Sequence, residues 1–300
     1  MRNLIKTLAE TAPLIHPGHK LGSVFKQAKY CARGLIFASY SKEWFKFLQR
    51  PELAVVVRNH PYLFHKLQRP YLNRALNTRQ RLEALKQHYR FVAAHFSPAM
   101  MQEVYATPGK LLATLPLEGV GHFGLRLSCS RKEKEGDLVI GLLNKDTGFM
   151  LFTLAFSIMQ FEAEHKEIFI GGLQGSKLAK DKELIISITR SLYGLRPKAL
   201  LLFALQQLAA GWGVTRLRAA GDEMHIYRHW QKRKNLEASY DEFWIESGGT
   251  LADDGMFNLP ATFVPREIST LRVNKRQMYK RRYLMLAEIA DQIRVSWLSV

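Results

Sequence analysis

The spacing of apolar residues changes once along this chain, near Gly109, and this change constrains the fold more than any other feature. Before Gly109 apolar residues recur every three or four positions, as in the segment from Thr78 to Phe96, which is typical of helices. After it, residues 118–129 alternate between apolar and polar side chains, which is typical of a strand with one buried face. The sequence therefore predicts an α+β protein in which helices come first and a sheet follows.

We expect a mixed sheet of about six strands, flanked by helices. Short polar turns separate the first four strands, so these should form an antiparallel meander. The predicted strands are residues 118–129, 137–143, 150–161, 167–172, 214–219 and 241–245, and the predicted helices of this part are residues 181–193, 197–210, 224–234 and 275–297. This order resembles the fold of the Gcn-related acyltransferases, in which a strand leads into a helix whose N-terminus binds the pyrophosphate of coenzyme A.

Two domains follow from this division. The first is a basic helical domain over residues 1–110, and the second is an acyltransferase-like domain over residues 111–300 that ends in a basic helix. Within the first domain, residues 1–20 should be irregular, because the cluster His16-Pro17-Gly18-His19 interrupts any helical pattern.

The positive charge of the chain lies at its two ends. Residues 1–110 hold 18 Lys and Arg against 5 Asp and Glu, residues 266–300 hold 8 against 3, and the middle is balanced with 18 of each. Basic ends joined to a neutral middle favour an acidic partner: an anionic membrane surface, a lipid headgroup or an acidic protein. Basic side chains that meet only water are the alternative. We do not expect sequence-specific binding of nucleic acid, since no known DNA- or RNA-binding signature is present.

No segment of the chain resembles a membrane span or a signal peptide. The most apolar windows, Leu151 to Met159 and Ala199 to Ala210, are far shorter than the ~20 residues that span a bilayer. With two cysteines in addition, we expect a cytoplasmic protein that could be peripheral to the inner membrane. We expect no metal site either: His225 and His229 are four residues apart on a predicted helix, but no third ligand accompanies them.

Two segments are candidates for binding a cofactor. After a buried strand, the glycine-rich segment that contains Gly172, Gln174 and Gly175 would let backbone N–H groups approach a ligand. Further along, Gly194, Arg196 and Lys198 surround Pro197, the expected first residue of a helix. A helix N-terminus beside two cations favours anions. The resemblance to the Gcn-related acyltransferases then implies a coenzyme A thioester as the candidate cofactor. A glycine turn and an ordinary helix cap are the alternative.

Candidate catalytic groups lie close to both segments. Glu162 and Glu164 precede the fourth predicted strand, where a carboxylate could deprotonate an acceptor amine. Tyr193 adjoins the second segment and could donate a proton. A polar hairpin turn and a buried tyrosine are the alternatives.

Several short strings of the chain resemble the VirK/YbjX family of Gram-negative bacteria. These are Gly172-Leu173-Gln174-Gly175, Leu192-Tyr193-Gly194-Leu195-Arg196-Pro197-Lys198, Pro61-Tyr62-Leu63 and Arg69-Pro70-Tyr71-Leu72. The resemblance extends from about residue 20 to 290. It implies a role at the bacterial envelope, in virulence and in resistance to cationic antimicrobial peptides, but brings no agreed reaction with it.

These observations favour an acyl-CoA-dependent transferase that acts on an envelope lipid or its precursor. A non-enzymatic basic adaptor, which binds anionic lipid or an acidic protein, is the alternative. A nucleic-acid-binding regulator comes third.

Overall fold

The computed structural model of the protein describes residues 1–130, 134–160, 166–227 and 239–298. Seven helices come first, followed by a sheet with helices between and after its strands. The helices are α1 (Arg2–Ile15), α2 (Leu21–Ile36), α3 (Ala38–Leu48), α4 (Ala54–Asn59), α5 (Leu63–Lys66), α6 (Thr78–His95), α7 (Pro98–Tyr105), α8 (Lys182–Ser191), α9 (Pro197–Gly211), α10 (Tyr240–Glu246) and α11 (Val273–Leu298). The strands are β1 (Lys110–Leu117), β2 (Gly121–Cys129), β3 (Leu138–Asn144), β4 (Met150–Gln160), β5 (Lys166–Gly175), β6 (Arg216–Ala220), β7 (Thr250–Leu251) and β8 (Met256–Leu259).

The expected α+β architecture is confirmed, and the described residues contain eight strands rather than about six. They form one sheet in the order β1-β2-β3-β4-β5-β6-β8-β7. All neighbouring strands are antiparallel except β5 and β6, which run parallel. Helices α8 and α9 make the crossover between this parallel pair, as such a connection requires. The antiparallel meander that leads into a parallel crossover is the acyltransferase-like order predicted from the sequence.

Several elements differ from the prediction. Strands β1, β7 and β8 were not predicted, and the described part of the predicted helix 224–234, residues 224–227, is not helical. Residues 241–245, predicted as a strand, belong to helix α10, because the Ser239 side chain accepts a hydrogen bond from the Glu242 N–H and caps that helix. Residues 1–20, predicted as irregular, contain α1, whose apolar side buries Leu4, Leu8, Ala12 and Ile15.

The helices cover the sheet through one continuous apolar core. Helix α6 packs on β4, α9 packs on β3 and β4, and α11 packs on β1 and on α9. Helix α9 is apolar on all sides and almost wholly buried, as its sequence predicts. The helical part ends at Tyr105 and the first strand begins at Lys110. The division into two domains near residue 110 stays a prediction, because the core runs through both parts.

Candidate functional site

The glycine-rich segment is the second half of strand β5 rather than a loop. Gly171 is an extra residue in the ladder with β4, since Ile170 pairs with Phe156 and Gly172 pairs with Ala155. On the other edge of β5, pairing with β6 extends only from Glu167 to Ile170. From Gly171 onward, that edge of β5 is therefore not paired with β6, and other groups can contact it.

Glu135 occupies the space that the glycines leave. A Cβ added at Gly171 would lie 2.0 Å from the Glu135 carbonyl oxygen, and one added at Gly172 would lie 2.1 Å from its carboxylate oxygen Oε1. Both distances are shorter than any real contact. The two glycines thus provide room for a buried carboxylate, and their role toward a cofactor stays a prediction.

A small polar cluster surrounds this carboxylate. Gln174 donates from Nε2 to Glu135 Oε1 at 2.7 Å, and His225 Nε2 lies 2.7 Å from the same oxygen. Tyr240 stacks on the His225 ring at a centroid distance of 4.8 Å, and its hydroxyl accepts a hydrogen bond from the Leu173 N–H at 3.4 Å. Burial, and then the Glu135 charge, raise the pKa of Tyr240. We call Glu135, Gln174, His225 and Tyr240 the Glu135 cluster.

The sequence pattern does not reveal the centre of this cluster. Glu135 lies in a run of charged residues between the first two predicted strands, where the pattern predicts a turn. His225 was predicted on a helix beside His229, but it lies in an irregular segment and is buried against Glu135, whereas His229 lies outside the described residues. The available signal was the pair of adjacent glycines on a strand that is otherwise rich in large apolar residues.

A second polar cluster joins the helical part to the sheet. Lys66 of α5 donates to Asp137 at 2.5 Å, and both side chains are buried. The hydroxyls of Tyr71, Tyr89 and Ser157 also donate to the Asp137 carboxylate. Burial alone would raise the pKa of Asp137, but the charges of Lys66 and His88 and the hydrogen bonds from Lys66 and Tyr71 outweigh it and hold that pKa well below its usual range. Burial raises the pKa of Tyr71 and Tyr89.

The second predicted segment lies at the start of α9. Tyr193 and Gly194 adopt the left-handed conformation, with φ of 51° and 77°, and end helix α8. Arg282 of α11 donates from Nε and a terminal nitrogen to the Tyr193 carbonyl oxygen at 3.0 and 2.7 Å. Arg196 is exposed and forms an ion pair with Glu246 at 2.7 Å. The Lys198 ammonium lies over the Phe243 ring, and burial, followed by the Arg196 charge, lowers the pKa of Lys198.

Helix α10 separates the two predicted segments. Its first residue, Tyr240, contacts Leu173 and His225, and its last residue, Glu246, pairs with Arg196. A helix of this length spans about 10 Å. Gly172 and Gln174 on one side and Arg196 on the other therefore define two neighbouring sites rather than one.

An open cavity of about 360 Å³ lies beside Arg196. Leu195, Leu202 and Phe263 line its apolar side. Its polar lining includes Glu246, Arg266, Tyr279, Arg282 and Tyr283. A second cavity of about 470 Å³ adjoins it along α9 and α11 and shares Gln206, Thr262, Phe263 and Tyr283 with it. A third, of about 350 Å³, shares Gln207, Ala210 and Ala290 with the second. Because neighbouring cavities share lining residues, the three are together called here the α9–α11 groove.

The roles of the predicted catalytic residues stay a prediction. Glu162 and Glu164 lie outside the described residues. Tyr193 is half-buried and lines a different cavity, of about 400 Å³, with Arg281 and Glu288. Within the described ranges, no group of three or more His, Cys, Asp or Glu side chains could hold a metal ion.

The fold joins a helical module to a mixed sheet with one parallel crossover. The family described as "Protein of unknown function (DUF535)" matches residues 19–295, and the chain belongs to that family. It is 34% identical over 274 residues to the uncharacterized protein YbjX of Escherichia coli K12, which covers 90% of this chain and 82% of that protein. It is also 25% identical over 218 residues to the membrane protein LapB of Mannheimia haemolytica, covering 71% of this chain and 90% of LapB.

Solved structures give a more distant likeness. A cAMP-binding acyltransferase from Mycobacterium smegmatis aligns with a TM-score of 0.34 and 10% sequence identity. The alignment covers 74% of this chain and 62% of the acyltransferase, which is less than two thirds of its length. Among the described residues, no helix is both long enough and apolar enough to cross a bilayer.

Proposed function

We propose that the protein is an acyltransferase that uses a coenzyme A thioester and modifies a lipid of the bacterial envelope or a precursor of that lipid. One observation carries this proposal: the α9–α11 groove combines a cationic mouth with an apolar interior. The family resemblance and the basic ends of the chain agree with an anionic, envelope-associated substrate.

The mouth of the groove suits a phosphate-bearing ligand. Arg266 and Arg282 line it, and Arg196 adjoins it through Glu246. Arginine binds phosphate with two parallel hydrogen bonds, which makes it well suited to a pyrophosphate. The pair of Arg196 with Glu246 is exposed and worth at most about 1 kcal/mol, so a phosphate group can replace Glu246 at little cost.

The interior of the groove suits an acyl chain. Phe203, Phe263 and Leu286 line its middle section, and Trp297 lines its far end. The groove follows α9, whose 15 residues extend over about 22 Å. Each methylene buried there would contribute roughly 0.8 kcal/mol, so binding should strengthen with chain length.

The reaction would join an acceptor oxygen or nitrogen to the carbonyl carbon of the thioester. The carbon–sulfur bond breaks, and the proton lost by the acceptor converts the departing thiolate into the free thiol of coenzyme A. Glu246 lines the mouth beside Arg196, so it would lie at the phosphate end of the ligand, and the pantetheine arm would hold the thioester carbonyl away from it.

A thermal-shift titration tests the proposal. Coenzyme A and thioesters of increasing chain length are added to the wild type, to Arg196→Ala and to Arg50→Ala. Arg50 is the matched control, because it is also exposed and paired, with Glu52 at 4.0 Å. A ligand at ~100 times its dissociation constant should stabilise the folded state by about 2.7 kcal/mol.

We expect the stabilisation to grow with chain length in the wild type and in Arg50→Ala, and to fall in Arg196→Ala. The absence of a shift with every thioester would overturn the transferase proposal. A non-enzymatic adaptor for anionic lipid would then be the better explanation.

A further inference from the structure

Helix α2 exposes an apolar stripe along its whole length. Leu21, Phe25, Ala28, Ala32 and Ile36 are spaced by four, three, four and four residues, so they share one side of the helix. All five are exposed, and Leu21, Phe25 and Ile36 keep 88%, 68% and 73% of their surface in contact with solvent. Tyr30 and Gly34, on the other side, pack into the protein.

Basic side chains accompany this stripe. Lys26, Lys29 and Arg33 follow one border of it, and Lys20 precedes the helix. Residues 11–42 contain no Asp or Glu at all. The stripe and these cations together are called here the α2 surface.

We propose that the α2 surface docks on an anionic bilayer, with the helix lying in the plane of the membrane and its apolar stripe in the headgroup–acyl boundary. An apolar face bordered by lysine and arginine is the pattern of interfacial helices. Anionic lipids attract each nearby cation, and the attraction adds to the burial of the stripe. This inference rests on α2 alone and does not depend on the α9–α11 groove.

A second copy of the chain fits this surface less well. A symmetric dimer would place the cations of two α2 helices side by side, and α2 has no carboxylate to pair with them. An anionic bilayer supplies the opposite charge over the whole helix. We therefore assign the surface to lipid.

Vesicle cosedimentation tests the assignment without any thioester present. The wild type is mixed with vesicles of phosphatidylcholine alone and with vesicles that also contain phosphatidylglycerol. Phe25→Glu is compared with Ile186→Glu, which places the same charge on an exposed apolar residue of α8 that is 56% exposed. Leu21→Glu serves as a second variant of the stripe.

We expect binding to the anionic vesicles only, a loss of about tenfold or more in Phe25→Glu and Leu21→Glu, and a change of less than about twofold in Ile186→Glu. Equal losses in all three variants would show general charge attraction and overturn the assignment, as would unchanged binding of Phe25→Glu. Light scattering that shows a dimer dissociated by Phe25→Glu would assign the surface to a second copy. Because the transferase proposal is tested with thioesters in solution, either proposal can fail without the other.

Discussion

At the scale of single residues, two adjacent glycines of β5 meet the same glutamate in different ways. The space above Gly172 is filled by the Glu135 carboxylate, which can turn away. The space above Gly171 is filled by the Glu135 backbone, which moves only with its strand connection. Gly172 thus makes room for the Glu135 side chain, and Gly171 makes room for the backbone of Glu135, which passes over β5.

This difference predicts two results for alanine substitutions. Gly172→Ala should lower the free energy of unfolding by about 1–3 kcal/mol, because the carboxylate must shift and loses its bonds to Gln174 and His225. In the background of Glu135→Ala the same substitution should cost much less, giving a coupling energy of about 0.5–3 kcal/mol. Chemical denaturation of the four proteins measures it.

Gly171→Ala is the matched control. Glu135→Ala keeps the backbone atoms that Gly171 meets, so the coupling between positions 171 and 135 should be near zero. Equal coupling at both glycines would show that the carboxylate does not fill the space above Gly172.

His88 makes stability depend on pH. It is fully buried, and its Nδ1 accepts a hydrogen bond from the Ile158 N–H at 3.2 Å. Burial lowers the pKa of His88 to about 4, with a smaller opposing effect of Asp137. An unfolded histidine titrates near 6.5, so the unfolded chain takes up this proton first as the pH falls.

The contribution of His88 to the free energy of unfolding should therefore be fully present above about pH 6.5. It should decrease as the pH falls toward about 4, by up to about 3 kcal/mol. His88→Gln should be less stable at neutral pH but lose less between these limits. Denaturant midpoints measured across this pH range give the slope of stability against pH. An unchanged slope in His88→Gln would contradict the assignment of this dependence to His88.

At the scale of elements, the sequence predicts those whose apolar pattern is long and undisturbed. Helices α8, α9 and α11 and strands β2 to β6 begin and end within about three residues of their predicted positions. Helix α10 was predicted as a strand because five residues with three apolar positions fit either period. Its decisive signal is the cap at Ser239.

The remaining elements depend on contacts that lie far apart in the sequence. Strand β1 contains Pro116, which is tolerated because β1 is at the edge of the sheet. The Glu135 cluster joins residues up to 105 positions apart, from Glu135 to Tyr240. No spacing rule in the sequence connects such residues, so the cluster emerges only from the packed structure.

At the scale of the whole molecule, the buried cluster around Asp137 decides whether the helical part and the sheet fold together. Lys66 and Tyr71 come from the helical part, and Ser157 comes from β4. The Lys66–Asp137 pair exists only while the two parts are packed together, so their separation loses its attraction and its hydrogen bond. Together with the continuous apolar core, this pair favours one cooperative unit.

We expect a single unfolding transition in which peptides of the helical part and of the sheet exchange their amide hydrogens together. Lys66→Met should lower the free energy of unfolding by about 3–5 kcal/mol, since it leaves the Asp137 carboxylate buried beside three hydroxyls and no cation. Lys86→Met, which breaks a partly exposed pair with Glu43 and Glu83, should cost about 1 kcal/mol or less.

Hydrogen exchange measured by mass spectrometry separates the two architectures. Two independent domains with a boundary near residue 110 would exchange at different denaturant concentrations, and Lys66→Met would leave the pattern of the sheet unchanged. One cooperative unit requires that the substitution on α5 accelerates exchange in β3 and β4 as much as in α6. In Lys66→Met the Asp137 carboxylate is buried without a cation, which raises the free energy of the folded state. Opening of the interface lets water reach this carboxylate, so the helical part and the sheet should both open more often.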